Sequence, residues 1–278
     1  MTTGIEANAL VRARQLATYF AVLPQVTAVA LGGSLSSGAA DAASDIDLYI
    51  YTRDELPIAE RAAIVARSGG ASQSDLGLSY WGPGDLWIDA VSGILIDCNY
   101  FEARWMQEQL ERVLDAHVPS LGYTTCFWRT IQQSSMLYDA HGWFRALQER
   151  SQEAYPEELG HNIIRYNHPV LRGILTSYYH QIESALKRQD VVSVNHRLAA
   201  LLASYFDIVF ALNRVLHPGE KRQLAFALSQ CQQLPKDMQA DLELVLRAAG
   251  TANTELLGHL GRLLDCLDAV LSEAGHSV

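Results

Sequence analysis

No convincing strand-type apolar pattern is found in this chain after about Tyr100; beyond it, seven segments repeat their apolar residues at i, i+3 and i+4. That change of period excludes both a uniform sheet protein and a uniform bundle, and it predicts an α+β molecule in two parts. In the first part, Ile5 to Phe20 has helical spacing, and Leu23-Pro24 ends the helix. A strand is predicted over 26–31, broken by Gly32-Gly33-Ser34. A second is predicted where Ile46, Leu48 and Ile50 alternate with Asp45, Asp47 and Tyr49. Residues 56–68 read as a helix and 68–76 as a Gly/Ser-rich loop, while 86–91 and 94–100 read as a hairpin across Ser92-Gly93. After Tyr100 the predicted helical segments are 102–116, 124–150, 169–188, 191–216, 221–231, 235–249 and 252–273. The expected division is a first domain over 1–120 and an all-helical one over 121–278.

Composition narrows the partners. The chain has 278 residues, 49% of them hydrophobic, which suffices for the cores of two domains. It carries 21 Lys and Arg against 31 Asp and Glu, a formal charge of −10, so it lacks the electropositive face that long nucleic acids require. Cys98, Cys126, Cys231 and Cys266 form no CxxC pair and the histidines no HxxxH pair, which argues against a zinc site or a disulfide framework. Reduced thiols and the absence of signal-peptide patterning predict a cytoplasmic location. The longest apolar run, Leu198 to Leu212, is interrupted by Asp207 and is too short for a membrane span.

The densest chemistry lies in residues 31–51, LGGSLSSGAADAASDIDLYIY, and 93–101, GILIDCNYF. A strand that runs into Gly-Gly-Ser and then a helix start presents backbone N–H groups, so Gly33 and Ser34 suit phosphate oxygens. Glycine matters there because a side chain would hold a phosphate off the backbone. Asp45 and Asp47 sit two apart on a strand, so both carboxylates leave one face and can grip the same divalent cations. Such hard oxygen ligands select Mg²⁺ or Mn²⁺ over zinc. Asp97 interrupts an apolar strand, Ile94-Leu95-Ile96, where a lone carboxylate is costly unless it faces a metal, a partner or solvent. Asp89, in Trp87-Ile88-Asp89-Ala90, competes for the same role; Asp97 is preferred for its longer apolar flank. Three carboxylates facing a phosphate-binding turn are the components of a two-metal phosphoryl-transfer site.

In order and spacing these residues resemble the signature of the DNA polymerase beta-like nucleotidyltransferase superfamily. That signature is an apolar residue, Gly-Gly or Gly-Ser, a spacer, Asp-apolar-Asp, and a third carboxylate on a later strand. Here it reads Leu31-Gly32-Gly33-Ser34, Asp45-Ile46-Asp47, and Asp97 between Ile96 and Cys98. The resemblance covers the chain to about Tyr100 and implies a mixed sheet flanked by helices. It further implies two Mg²⁺ ions held by Asp45, Asp47 and Asp97 as the catalytic acids, with Gly33 and Ser34 on the triphosphate. The implied reaction moves a nucleoside monophosphate, AMP from ATP or another nucleoside triphosphate, to a hydroxyl of a small polar molecule and releases pyrophosphate. The helical second half resembles small antibiotic nucleotidyltransferases acting on aminoglycosides or lincosamides. This implies a small-molecule acceptor, with an antibiotic among the candidates, and a homodimer as a candidate assembly. Relatives often carry a basic residue three after the motif serine, where this chain has Ser37. The rival expectation is an antitoxin-like regulatory protein of the same fold that binds or nucleotidylates a partner protein; such proteins are usually much shorter.

The second half is expected to supply the acceptor site, because all three lysines lie in it. Asp207 and Arg214, seven apart, would share a helix face to within roughly 20° and are candidate substrate-binding residues. Lys221, after Pro218-Gly219, is the candidate to meet β- and γ-phosphate oxygens as a point charge. Arg112 and His117 match the Arg-x4-His pattern of a ribonuclease family and are read as coincidence. Trp128 and Tyr178-Tyr179 are read as packing rather than base stacking.

Overall fold

The computed structural model describes residues 4–37, 44–251, 253 and 255–276; the rest of the predicted spacer, up to Ala43, lies outside the described residues. In chain order the first elements are α1 (Gly4–Ala21), β1 (Val26–Leu31), α2 (Gly33–Ser37), β2 (Ile46–Thr52), α3 (Ile58–Arg67), β3 (Ala71–Leu78), β4 (Gly84–Asp89), β5 (Leu95–Glu102) and α4 (Ala103–Leu114). They continue with α5 (Cys126–Gln133), β6 (Ser135–Asp139), α6 (Trp143–Arg150), α7 (Glu157–His168), a π turn (Pro169–Gly173), α8 (Tyr178–Lys187), α9 (Val191–Leu212), α10 (Gln223–Gln230), α11 (Met238–Gly250) and α12 (Glu255–Glu273). The fold is α+β: a six-stranded mixed sheet flanked by helices, with a helical C-terminal region.

Contacts divide the chain into two compact units, Met1–Leu110 with Thr130–Glu153, and Glu111–Arg129 with Ala154–Val278. The single cut expected at residue 120 gives way to this interleaved division because β6 and α6 belong with the sheet. Two of the six strands depart from the sequence expectation: β3 stands where most of the Gly/Ser-rich loop over 68–76 is predicted, and β6 lies inside the helix predicted over 124–150. The sheet order β3-β4-β5-β2-β1-β6 gives the reason. Both are edge strands, and exposed side chains such as Gln73, Ser74, Asp75, Ser135 and Met136 show no inside/outside alternation.

In the first unit, β2 and β5 are the parallel pair at the centre, flanked by antiparallel partners. Alternation along β2 sends Ile46, Leu48 and Ile50 into the core with Ile96 and Cys98 of β5, and α1 covers them with Ala13, Leu16, Ala17 and Phe20. The opposite face of the same strands takes Asp47, Tyr49, Asp97 and Asn99. In the second unit, α9 is the central helix: its first half buries a single stripe through Val194, Leu198 and Leu201, and its last nine residues, 204–212, are buried all round. Its buried residues include Leu198, Leu201, Ile208 and Val209, and a second buried stripe runs along α12 through Leu256, Leu260, Leu263 and Leu267. Among the described residues no helix is long and apolar enough to cross a membrane. All four cysteines are free thiols, Cys98 and Cys231 being buried.

Candidate active site

The candidate site is built where β1 ends against β2. The Gly32 N–H donates to the Asp47 carbonyl at 2.9 Å, extending the ladder by one bond before the chain turns away. Gly33 then adopts a left-handed conformation, φ 62°, open to glycine at little cost. A Cβ at residue 33 would overlap the Asp47 carboxylate, and one at residue 32 would overlap the Tyr49 ring. Backbone, carboxylate and phenol therefore meet at a spot with no room for side chains on the turn. The Ser34 hydroxyl is 3.0 Å from that of Ser44, tying the start of α2 to the residue before Asp45.

The parallel register of β2 and β5 sets Asp47 directly opposite Asp97. Neighbouring strands lie about 4.8 Å apart, so two carboxylates leave one face side by side. Asn99, two residues on and on the same face, donates its amide to Asp97 Oδ1 at 3.0 Å. Tyr49 completes the group. Burial first, and then the Asp47 and Asp97 carboxylates, push its phenol up to about 12, against a hydrogen bond from the Gly33 backbone that lowers it. Asp45 is exposed and lies just before β2 begins. Among the described residues no three acids, imidazoles or thiols are gathered to hold one ion. The all-oxygen pair nonetheless fits Mg²⁺, which is commonly held by one or two carboxylates with the remaining positions taken by substrate phosphates and water.

Asp89 takes no part in this group. The pairs Leu86 with Asp97 and Trp87 with Ile96 put odd-numbered residues of β4 on the core face, opposite to Asp97. There Asp89 is fully buried and gripped by Arg12, with Nε at 2.9 Å and Nη2 at 2.5 Å, while the Ser92 N–H and hydroxyl donate to Oδ2 at 2.9 and 2.6 Å. Burial alone would raise its pKa, but these hydrogen bonds hold the carboxyl below its ordinary range.

Asp207, Arg214 and Lys221 belong to the second unit. Asp207 is buried and committed to the fold, accepting from the Thr124 N–H at 3.0 Å and the Thr124 hydroxyl at 2.6 Å. Arg214 corrects the shared-face reading: α9 stops at Leu212, Asn213 caps it, and Arg214 is left-handed at φ 53°. A residue beyond the helix end loses helical phase with Asp207. Arg214 instead stands 3.4 Å from Glu157 and lines a polar cleft of about 490 Å³ with Asn213, His161 and His276. Lys221 is exposed in the turn before α10. Arg112, of the ribonuclease-like pattern, clamps a loop: Nη1 donates to the Val118 carbonyl at 2.8 Å and the Ser120 hydroxyl at 3.0 Å. Its sequence partner His117 faces Glu158 at 3.2 Å. Trp128 is buried and stacks on Tyr155, as packing would have it.

Sequence reasoning missed Tyr49 and Asn99. The signal was present in the alternation: both lie two residues beyond an acid of the pair, on the same face.

Residues 13–117, which include Gly33, Ser34, Asp45, Asp47 and Asp97, match the family described as a nucleotidyltransferase domain. Residues 126–222 match a family described as a domain of unknown function (DUF4037). Among solved structures the chain is similar to a nucleotidyltransferase-like protein from Exiguobacterium sibiricum 255-15, at 10% identity and a TM-score of 0.45, over 97% of this chain and 75% of that one. No curated protein matches.

Proposed function

Starting from residues 13–117 as a nucleotidyltransferase domain of the DNA polymerase beta-like superfamily, we propose that the chain transfers a nucleoside monophosphate to a hydroxyl of a small polar acceptor. The donor is a nucleoside triphosphate, ATP being the first to test. The acceptor oxygen forms a bond to the α-phosphorus, the bond from that phosphorus to the bridging oxygen breaks, and pyrophosphate leaves. The observation that carries this reading is the register of Asp47 opposite Asp97, with the Gly33 backbone against the Asp47 carboxylate.

Asp47 and Asp97 would hold Mg²⁺ together with triphosphate oxygens, and exposed Asp45 is assigned to the same ions. Bound there, the cation offsets phosphate charge and lowers the pKa of the attacking hydroxyl. The Gly32-Gly33 turn lets phosphate oxygens approach main chain where any side chain would intervene. The Ser34 hydroxyl adds a donor at the same turn. Asp97 is the acid assigned to take the acceptor proton, and the Asn99 amide restrains the carboxylate that does so. The formal charge of −10 suits a cationic acceptor over an anionic one, and aminoglycosides are therefore the first acceptors to screen.

The test is thermal melting with ATP, GTP, CTP and UTP, each with and without Mg²⁺, for the native chain and the double variant Asp45→Asn/Asp47→Asn. A ligand that binds the folded state alone raises the melting temperature by mass action. A Mg²⁺-dependent rise with at least one nucleotide, lost in the variant, is expected, followed by pyrophosphate release in an acceptor screen. No rise with any triphosphate in a folded sample would overturn the reading.

A further inference from the structure

Tyr49 stands where the glycine turn meets the two acids of the candidate site. Its ring fills the space that a Cβ at Gly32 would need. Its hydroxyl accepts a hydrogen bond from the Gly33 backbone, and the Asp47 and Asp97 carboxylates are close enough to act on it electrostatically. The ring is itself held: it packs edge-on against Phe101 at 5.7 Å, and Phe101 stacks on Trp105 at 6.0 Å and on Tyr51 at 6.0 Å. A side chain braced in this way cannot swing aside without disturbing the row of rings behind it.

From this geometry we infer that Tyr49 is a positioning residue of the transferase site, which sets the height of the Gly32-Gly33 turn above Asp47 and Asp97 and so aligns the triphosphate. The inference rests on the transferase reading and deepens it. It acts through two separable parts. The ring is a spacer: it fixes how closely the turn approaches β2 and makes glycine obligatory at residue 32. The hydroxyl is a latch, orienting the Gly33 peptide and with it the next amide groups in the turn. Alternation places Tyr49 on the face opposite Ile46, Leu48 and Ile50, with Asp47 and Asp97; Tyr51 shares that face but is buried among Phe101, Trp143 and Phe144, whereas Tyr49 is only partly buried and stands beside the acids.

The experiment has two arms. In the first, melting without ligand is compared for Gly32→Ala, Tyr49→Ala and the double variant. Gly32→Ala is expected to destabilise the native background strongly and the Tyr49→Ala background little, because the clash partner is gone; additive effects would remove the spacer role. In the second arm, Mg²⁺-triphosphate affinity and steady-state kinetics are measured for Tyr49→Phe, which keeps the ring and deletes the latch. The expected result is a loss of about tenfold in triphosphate affinity, the size of one well-placed hydrogen bond. It should appear in the KM for nucleotide with the KM for acceptor unchanged and the melting temperature near native. A native chain that responds to triphosphate while Tyr49→Phe binds as well or better would overturn the latch alone. A native chain that responds to no triphosphate would overturn the transferase reading, while the first arm would still decide whether Tyr49 sets the turn.

Discussion

The two faces of the β4–β5–β2 segment carry acids under opposite conditions. On the face covered by α1 and α3, Asp85 and Asp89 are buried, and each meets a guanidinium, Arg61 at 3.3 Å and Arg12 at 2.5 Å. On the other face, Asp47 and Asp97 are partly exposed and meet a glycine turn and the Asn99 amide. One residue of register separates the two situations, since neighbours along a strand point to opposite sides. A permanent cation inside the fold turns a carboxylate into a structural pin. An amide and a turn leave the local field negative, which suits a cation delivered with substrate.

The sharpest way to break this comparison is to unpair one acid on each face. Arg12→Ala leaves Asp89 buried without its guanidinium, and the expected cost is about 3–5 kcal/mol. Asp97→Asn is expected to leave urea unfolding close to native but to slow pyrophosphate release by about a thousandfold, several kcal/mol of transition-state stabilisation. Equal destabilisation by both variants would erase the distinction between the faces. The pH dependence carries the same sign. Because Arg12 and Ser92 hold the Asp89 pKa below its ordinary 3.8, its stabilising contribution is complete above that value and fades as pH falls through the lower folded one. Acid unfolding should therefore be less steep in Arg12→Ala than in the native chain.

Asp207 sharpens the comparison, being buried with a hydroxyl and an amide as its hydrogen-bond donors. Burial pushes it up to about 7, and the Thr124 hydrogen bonds and the Arg112 charge recover part of the shift. The folded state therefore holds a proton that the unfolded chain has already lost, so stability falls as pH rises from about 4 to about 7 and levels off above. The effect is on the order of 4 kcal/mol at most. Melting followed across that range should show the decline in the native chain and a flatter profile in Asp207→Asn. A flat native profile would mean that Arg112 and Thr124 stabilise the charged carboxylate as fully as Arg12 stabilises Asp89.

How much of this was legible in the sequence depends on where each element lies. Interior strands such as β2 and β5 declared themselves, because one face is apolar and the other is not. The edge strands β3 and β6 did not, because their pairing depends on an open sheet edge supplied by other residues. Asp45, Asp47 and Asp97 stood out as acids in apolar or β-branched surroundings, and Gly33 as a glycine after a strand. The direct opposition of Asp47 and Asp97 is a matter of register, which local pattern does not encode between distant strands. Arg214 was misplaced because helical periodicity runs smoothly to Leu212 and the stop lies in the Asn213 cap, whose amide donates to Val209 and Gln233 carbonyls at 2.8 and 2.7 Å.

Gly33→Ala probes the open face with a smaller perturbation. The substitution meets both a positive φ and the Asp47 carboxylate, so about 1–2 kcal/mol of destabilisation is expected, with loss of the Mg²⁺-triphosphate melting response. Retention of that response would show that the turn does not need to approach the acids so closely.

The smallest effects are expected away from both faces, at exposed Lys221 and Arg214. Neither is held in a buried network, so Lys221→Ala and Arg214→Ala should each stay within about 0.5 kcal/mol of native stability. Arg214→Gly should fare at least as well, because glycine adopts φ 53° readily and the pair with Glu157 is exposed on both sides. Their stability being unaffected makes the kinetics decisive. A rise in KM for triphosphate in Lys221→Ala, at unchanged melting temperature, would assign that lysine to the β- and γ-phosphates. A rise in KM for acceptor in Arg214→Ala would assign the arginine to the acceptor. Unchanged constants in both variants would exclude these two side chains from nucleotide and acceptor binding and leave Gly33, Ser34, Asp45, Asp47 and Asp97 as the residues assigned to the site.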